Sequence, residues 1–534
     1  MSIWHDSSSG KWWNSLRLVW LAWALVVMGC SGPAEQLPRR GGILSYNRNL
    51  PDHSLDPWYI TSLAEREIAE QIYEGLLQPD TVTFEPVPCL ADSWSVGDSG
   101  KTYVFRLRKG VRFQDNACFP YGRGREVTIE DVRFSFERNL RGPRTSWGAR
   151  ELYFLKGAEE FRLGKTEHVP GIELRPPRTI VFHLKFPAPH FKYVFYSPAG
   201  YVVPKEAVEH YGDLFGQNPV GTGPFRLALW SRDRLMLARN NHYWQTDGRG
   251  QRLPYLDGVE VLQTAVDPMT WLSGTVPPDL WMEMDADILW NWHREQGSRS
   301  QVFDDSVRMV ESAFLVVNFN RNGPLQKAKT LRQSFFSTIN VRGVQSRKQG
   351  HAPLGRLLPS YFLPGDRTTG MLGATMSLET PKRLPGEIRI QVLNLPVSAL
   401  SERNNDPFRE RKLGGFQYRF VKSAQDADIW FVSYQWLYPD AEELLRLFCS
   451  DVSPWGYRNE EYDRTFFEFV TRQSPEERQN LAAHLVGMLE EEAVHLPLFQ
   501  EVNYYCWRPY VKNIRCSINP YSFHFFKYVW LESH

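Results

Sequence analysis

Residue types capable of covalent or hydrolytic chemistry occur throughout this chain, but not at the spacing such chemistry needs. There is no Gly-x-Ser-x-Gly elbow, no His-Glu-x-x-His helix and no phosphate loop ending in Gly-Lys-Ser/Thr. Gly221-Thr-Gly223 has the composition of a phosphate cradle. However, Pro224 and a strand pattern follow it, whereas phosphate loops open a helix whose N-terminus faces the anion. It reads as a turn. Glu490 to Glu492 and Asp304-Asp305 offer carboxylates for a metal, but without a coordinating pattern they read as solvated helix and loop faces. Cys89, Cys118, Cys449, Cys506 and Cys516 show no Cys-x-x-Cys or Cys/His zinc spacing. Their odd number leaves at least one thiol unpaired or paired outside the chain, and Cys506 and Cys516 are close enough to bridge a hairpin. The sequence therefore predicts no catalytic residues, no metal site and no cofactor, and favours a binding role over an enzyme.

The elements that would position a binding site are mixed α and β. A strand is expected from Ile43, and then a helix capped by Ser62 with Glu65 three places on, its apolar face being Ala64, Ile68, Ile72 and Leu76. Tyr103, Phe105 and Leu107 alternate with polar residues up to a Lys109-Gly110 turn, and Val111 and Phe113 resume, which predicts a hairpin. Thr128 and Asp131 predict a second capped helix with Val132, Phe136 and Leu140 inward. Ile180 to Phe186 alternate as a strand, and Phe225 to Leu229 and Leu235 to Leu237 flank a Ser-Arg-Asp-Arg turn as another hairpin. Phe314 to Phe319 and Asp428 to Ser433 are near-continuous apolar runs of the kind buried on both faces. Ser474-Pro-Glu-Glu477 combines an N-cap, a proline at the first helical position and a capping box.

At the N-terminus, Lys11 and Arg17 precede an apolar run over residues 18–29 that ends at Cys30. The run is shorter than the about 20 residues a relaxed transmembrane helix needs, and it has the layout of a secretory signal. Val27-Met28-Gly29-Cys30 resembles a lipobox, departing from the usual pattern at Val27 and Met28. Lipidation at Cys30 is expected, the alternative being a plain signal peptide with an incidental cysteine. The following Ser-Gly-Pro-rich stretch reads as a tether. The whole chain has 534 residues, with 62 basic and 61 acidic side chains, a balance that excludes a nucleic-acid partner recruited by charge. Aromatics make up 14% of the chain, which suits either flat ligand platforms or an aromatic-rich core.

Several stretches, in order, resemble the family 5 extracellular solute-binding proteins. They are Ser54-Leu-Asp-Pro57, Gln71-Ile-Tyr-Glu-Gly-Leu-Leu77, Val87 to Trp94, Lys101 to Phe113, Glu126 to Arg138, Asn218 to Leu227, Asn240 to Trp244 and Tyr255 to Glu260. Weaker matches follow in the second half, at Val317-Asn-Phe-Asn, Leu331-Arg-Gln-Ser, Asp426-Ala-Asp-Ile429, Glu461-Tyr-Asp463 and Leu496-Pro-Leu498. The resemblance implies an α/β, two-lobed clamshell of the periplasmic-binding-protein type (type II, with an extra inserted domain). Its expected parts are a signal peptide (1–29), a lipidated tether (30–40), the first lobe in three segments (41–75, 171–308 and 498–534), the inserted domain (76–170) and the second lobe (309–497). It further implies an exported monomer, periplasmic or at the cell surface, anchored to the membrane by its N-terminal lipid. Such a receptor captures a peptide or similar extended solute and delivers it to the permease subunits of an ABC importer. Relatives also take oligosaccharides, nickel complexes and haem, so the ligand class stays open. A secreted enzyme or surface adhesin on the same scaffold is the alternative.

In peptide-binding members, a second-lobe strand presents backbone groups to the ligand and a nearby aspartate pairs with its α-amino group. The corresponding stretch here is Ser433-Tyr-Gln-Trp-Leu-Tyr-Pro-Asp440, in which that aspartate falls on Leu437. The expected ligand-binding set is Ser433, Tyr434, Gln435, Trp436, Tyr438 and Asp440, together with Trp58 and Tyr59 of the first lobe. Asp440 is also placed to cap a helix starting near Ala441. Trp271, Trp281, Trp290 and Trp292 lie in a stretch that departs from the family pattern, and are expected in core or lobe surface rather than as a ligand platform. If Cys30 carries the lipid, Cys30→Ser moves the folded protein from the membrane to the soluble fraction. Fractionation followed by immunoblotting reads this out, and unchanged membrane retention would count against lipidation.

Overall fold

The computed structural model describes residues 37–51, 54–60, 62–142, 151–263, 266–274, 276–296, 303–337, 339, 341, 351–353, 357–358, 387–392, 412–413, 416–421, 424–436, 438–514 and 525–532. Cys30, Leu437 and Cys516 lie outside them. The chain divides into Met1–Arg39, described only from residue 37, and Arg40–His534, whose architecture follows.

One long mixed sheet organises this second unit. From one edge to the other its strands are Phe225–Trp230, Arg234–Arg239, Gly258–Leu262, Ile43–Asn47, Leu280–Met284, His495–Trp507, Phe303–Val317, Ile429–Gln435, Glu387–Val392, Phe416–Val421 and Lys412–Leu413. The apolar run from Ala313 to Val317 is fully buried, as expected of a strand covered on both faces. It pairs antiparallel with Ile429–Gln435 on one side and with His495–Trp507 on the other. The hydrophobic core forms two main bodies. One gathers Leu44, Ile68, Phe105, Phe136, Phe182, Phe225 and Val259, and the other Phe314, Trp436, Leu444, Tyr462 and Leu485. The molecule is two-lobed, and the pair Phe303–Val317 and His495–Trp507 runs from one lobe into the other. Its register shifts between Arg308 and Ser312, a local break in the ladder.

The caps expected from sequence form. Ser62 accepts from the Glu65 amide, and its own amide donates to Glu65, at the start of helix Leu63–Ile72. Thr128 and Asp131 do the same for Ile129–Leu140; at Pro475–Glu491 the Ser474 hydroxyl accepts from the Glu477 amide, which is the N-cap half of the expected capping box. The turn Ser231 to Arg234 closes the hairpin of Phe225–Trp230 with Arg234–Arg239.

The hairpin expected across Lys109-Gly110 does not form. Strand Thr102–Leu107 has both edges occupied, by Ala91–Gly97 and by Thr179–His183, so Val111 to Phe113 pairs with 125–127 instead. Ile172–Arg175 and Thr179–His183 complete this four-stranded sheet, which therefore runs past residue 170.

Two glycines allow close backbone packing beside helix Leu63–Ile72. A Cβ on Gly75 would stand 2.0 Å from the Phe195 carbonyl oxygen, and one on Gly221 would stand 2.1 Å from that of Ile72. Gly221-Thr-Gly223 is a turn leading into strand Phe225–Trp230, with the Gly223 amide donating to Ile72 O at 2.9 Å.

Where strand Ile43–Asn47 ends, Arg48 binds two carboxylates. Its Nη2 donates to Glu67 Oε1 at 2.9 Å, and its Nη1 lies 2.6 Å from Glu283 Oε1. Glu283 is held at φ 58, a backbone region that non-glycine residues rarely occupy. Burial pushes the Glu67 carboxyl up to about 7, against the pull of Arg48. A carboxyl raised on folding binds its proton more tightly in the folded state. Its stabilising contribution is therefore present in acid and declines as pH rises from the unfolded value toward 7. The stability difference between wild type and Glu67→Gln should shift against wild type by roughly 3 kcal/mol between about pH 4.5 and 7 and then level off. Urea unfolding across that range measures it, and a flat difference would assign Glu67 an ordinary pKa.

Candidate functional site

The stretch singled out in the second lobe begins on an internal strand. Ser433 faces Ala313 and Tyr434 faces Ser312 in the antiparallel ladder, and Gln435 is opposite Glu311. The hydroxyl of Tyr434 donates to the Glu443 carbonyl at 3.2 Å, and its ring meets that of Trp436 edge-on at 5.7 Å. Trp436 is 2% exposed and belongs to the second-lobe core. Tyr438, also buried, donates from its hydroxyl to Glu442 Oε2 at 3.1 Å.

Asp440 has a structural task. Both of its oxygens accept from Arg478 Nη2 at 2.7 Å, and Oδ1 also accepts the Glu442 amide at 2.9 Å, at the start of the short helix Glu442–Leu445. The expected capping contact is therefore present, alongside an ion pair with a helix-borne arginine. Arg478 in turn lies over the Phe469 ring and donates to the Phe469 carbonyl.

The first lobe meets this stretch through residues that sequence reasoning did not single out. Tyr193 and Tyr196, on the 3₁₀ segment Pro189–Tyr196, join the second-lobe core, as does Phe525. Tyr193 stacks on Tyr438 with ring centroids 5.1 Å apart and an interplanar angle of 15°. Burial and the neighbouring Asp440 and Glu85 push its phenol pKa well up, so it stays protonated and donates to Glu85 Oε1. On the same segment, His190 is fully buried, and burial lowers its pKa to about 4, leaving a neutral imidazole near neutral pH. Phe186 packs edge-on against Phe467. The available signal was the aromatic density of residues 191–196, which strand and helix periodicities do not explain.

Trp58 and Tyr59 sit elsewhere in the first lobe. The guanidinium of Arg138 pairs with both oxygens of Asp56 and lies 4.8 Å over the Trp58 ring, while Tyr59 is 52% exposed. Among the described residues, Trp58 and Tyr59 neighbour Asp56, Arg138 and each other, apart from the stretch 433–440. Trp271 and Trp281 are core, their rings 5.4 Å apart, and Trp290 is exposed on its helix. The thiols of Cys89, Cys118 and Cys449 are free. Among the described residues no helix is long and apolar enough to cross a membrane.

Because Arg478 is nearly buried, removing its partner leaves an uncompensated charge in the core. Asp440→Asn should cost about 3–5 kcal/mol of unfolding free energy. Denaturant melts would show this, and a loss below about 1 kcal/mol would return Asp440 to the pool of ligand-facing acids.

Comparison with known proteins agrees with this architecture. Residues 85–360, just over half of the chain, match the model of the bacterial extracellular solute-binding proteins, family 5 Middle. A stretch of 207 residues is 30% identical to the glutathione-binding protein GsiB of Salmonella choleraesuis, covering 39% of this chain and 35% of that protein. A stretch of 225 residues is 31% identical to the periplasmic oligopeptide-binding protein OppA of Escherichia coli, covering 41% of this chain and 40% of that one. The matches thus span well under half the length of these curated relatives. Among solved structures, Haemophilus influenzae OppA in complex with RPPGFSPFR superposes with a TM-score of 0.72 at 19% identity, over 93% of this chain and 99% of that one. The murein tripeptide binding protein MppA of Escherichia coli gives 0.72 at 18% identity, with the same coverage. Identities this low speak for the fold, and the family match rests on sequence: the chain belongs to the bacterial extracellular solute-binding proteins, family 5.

Proposed function

We propose that this chain is an extracytoplasmic receptor that captures a peptide or similarly extended solute between its lobes and passes it to the permease of an ABC importer. The observation that carries this is the family match over residues 85–360 on a fold whose two lobes share one strand pair. In such a fold, ligand contacts made by both lobes favour the closed form, and the permease can select that form. The chain itself performs no reaction, the curated relatives it matches being binding proteins by name. The lipid at Cys30 and the monomeric state belong to the same reading, as do the segment boundaries, with the inserted domain extended to include its last two strands.

Ser433, Tyr434, Gln435, Trp436 and Tyr438 are the proposed ligand-facing stretch, and Trp58 and Tyr59 an outlying first-lobe contribution. Asp440 is assigned to Arg478 instead, as its two 2.7 Å contacts support. With leucine at the family's aspartate position and Asp440 already paired, neither supplies an acid for a free α-amino group. This favours ligands that lack one, such as blocked or ring-bearing peptides or sugars; Trp436 and Tyr438 are buried in the second-lobe core, so of the aromatic rings in this stretch it is the partly exposed Tyr434 that suits stacking.

Calorimetry against matched free and N-acetylated peptides tests the ligand class. A free amine held by a buried acid contributes roughly 1.5–3 kcal/mol, one to two decades of affinity. Acetylation is expected to change Kd by less than about threefold, and submicromolar binding abolished by acetylation would exclude the blocked-ligand reading. Small-angle scattering on the same samples should show the radius of gyration falling on ligand addition. A tight ligand that leaves the curve unchanged would argue against lobe closure.

A further inference from the structure

The inserted part of the first lobe and the second lobe meet at a buried trio of ligating side chains that no motif or spacing groups. Glu151 immediately precedes the turn Leu152–Phe154, His190 lies on the segment Pro189–Tyr196, and Glu442 opens the helix Glu442–Leu445. One ligand atom from each lies within 4.8 Å of the others, and all three residues are buried. The imidazole of His190 is 1% exposed, and neither ring nitrogen has a hydrogen-bond partner. Its Nε2 points at Glu442 Oε2, 4.0 Å away. A buried imidazole without hydrogen bonds is costly, and it is aimed into a pair of carboxylates from two different lobes.

We propose that Glu151, His190 and Glu442 form a binding site for a divalent first-row metal ion of the zinc type, bridging the inserted part of the first lobe and the second lobe. One imidazole nitrogen and two carboxylate oxygens suit Zn²⁺, which takes such donors at about 2.0–2.2 Å and accepts a water as its fourth ligand. Tetrahedral coordination at those lengths sets ligand atoms about 3.3–3.4 Å apart, so the present spacing has to contract by about an ångström. The guanidinium of Arg446 currently balances the acids, 3.6 Å from Glu151 Oε1 and 3.5 Å from Glu442 Oε1. It is the cation a metal has to displace. With 17% of its side chain exposed and its guanidinium over the Phe154 ring, Arg446 has a path outward. Since the ligands come from both lobes, metal uptake and lobe closure favour each other. This site is independent of the identity of the transported solute.

The test uses untagged full-length protein stripped with EDTA, titrated with ZnCl₂ by calorimetry and analysed for metal by plasma mass spectrometry. One zinc per chain is expected, with a Tm that rises with zinc concentration. Loss of even an outer-shell partner weakens metal sites roughly 10–100-fold, so His190→Ala should weaken zinc by at least about 100-fold. Arg446→Met provides the opposite sign: it removes the competing cation, so zinc should bind more tightly than to wild type and restore any stability the variant has lost. Circular dichroism of each metal-free variant establishes that it is folded. Absence of zinc binding by wild type, undiminished binding by folded His190→Ala, or unchanged or weaker binding by folded Arg446→Met would each overturn the proposal.

Discussion

The antiparallel pairing of Phe303–Val317 with His495–Trp507 is the constraint on which the rest of the molecule depends. Both strands are long enough to contribute to each lobe, so a single ladder carries the main sheet across the junction. On the first-lobe side His495–Trp507 continues into Leu280–Met284 and then Ile43–Asn47, and on the other Phe303–Val317 continues into Ile429–Gln435. A backbone ladder resists stretching and shear but tolerates twist and bend where its hydrogen bonds are interrupted. The register break between Arg308 and Ser312 is such a place. Bending at this place would leave both cores intact, as the hinge motion invoked in the proposed function requires.

Local features were legible because local chemistry determines them. Ser62, Thr128 and Ser474 sit at helix starts since each side chain satisfies an amide that the helix leaves unpaired, and the signal lies within four residues. The Ser231 to Arg234 turn was readable for the same reason. The Lys109-Gly110 turn misled: Gly110 does take a left-handed φ of 76, but strand partners are chosen by the whole sheet. Thr102–Leu107 finds Thr179–His183, whose distance along the chain no periodicity encodes. The site divided in the same way. The stretch 433–440 was singled out through family resemblance, while Tyr193 and Tyr196, which pack in the same core as its Trp436 and Tyr438, leave no short-range mark.

The aromatic excess finds its explanation mainly in packing. Phe105, Phe136, Phe182, Phe191 and Phe195 form a continuous ring cluster in the first lobe, with centroid separations from 4.4 to 5.9 Å. Phe448 and Trp455 repeat the pattern in the second, at 5.0 Å. Between the lobes the character changes. Stacked tyrosines and paired charges, Tyr193 on Tyr438 and Arg446 between Glu151 and Glu442, combine apolar area with groups that water can also satisfy. A surface of this kind can separate at lower cost than a purely apolar core, because its polar groups exchange protein partners for solvent.

The close approaches at Gly75 and Gly221 bear on how this chain could have diversified. Both glycines lie in the stretches that carry the family resemblance, and both are fixed by carbonyl oxygens about 2 Å from where a side chain would begin. Their identity records how the backbone folds around helix Leu63–Ile72 and is silent about any solute. Two chains sharing the glycine-bearing stretches can therefore be expected to share this backbone packing, whatever solute each of them meets.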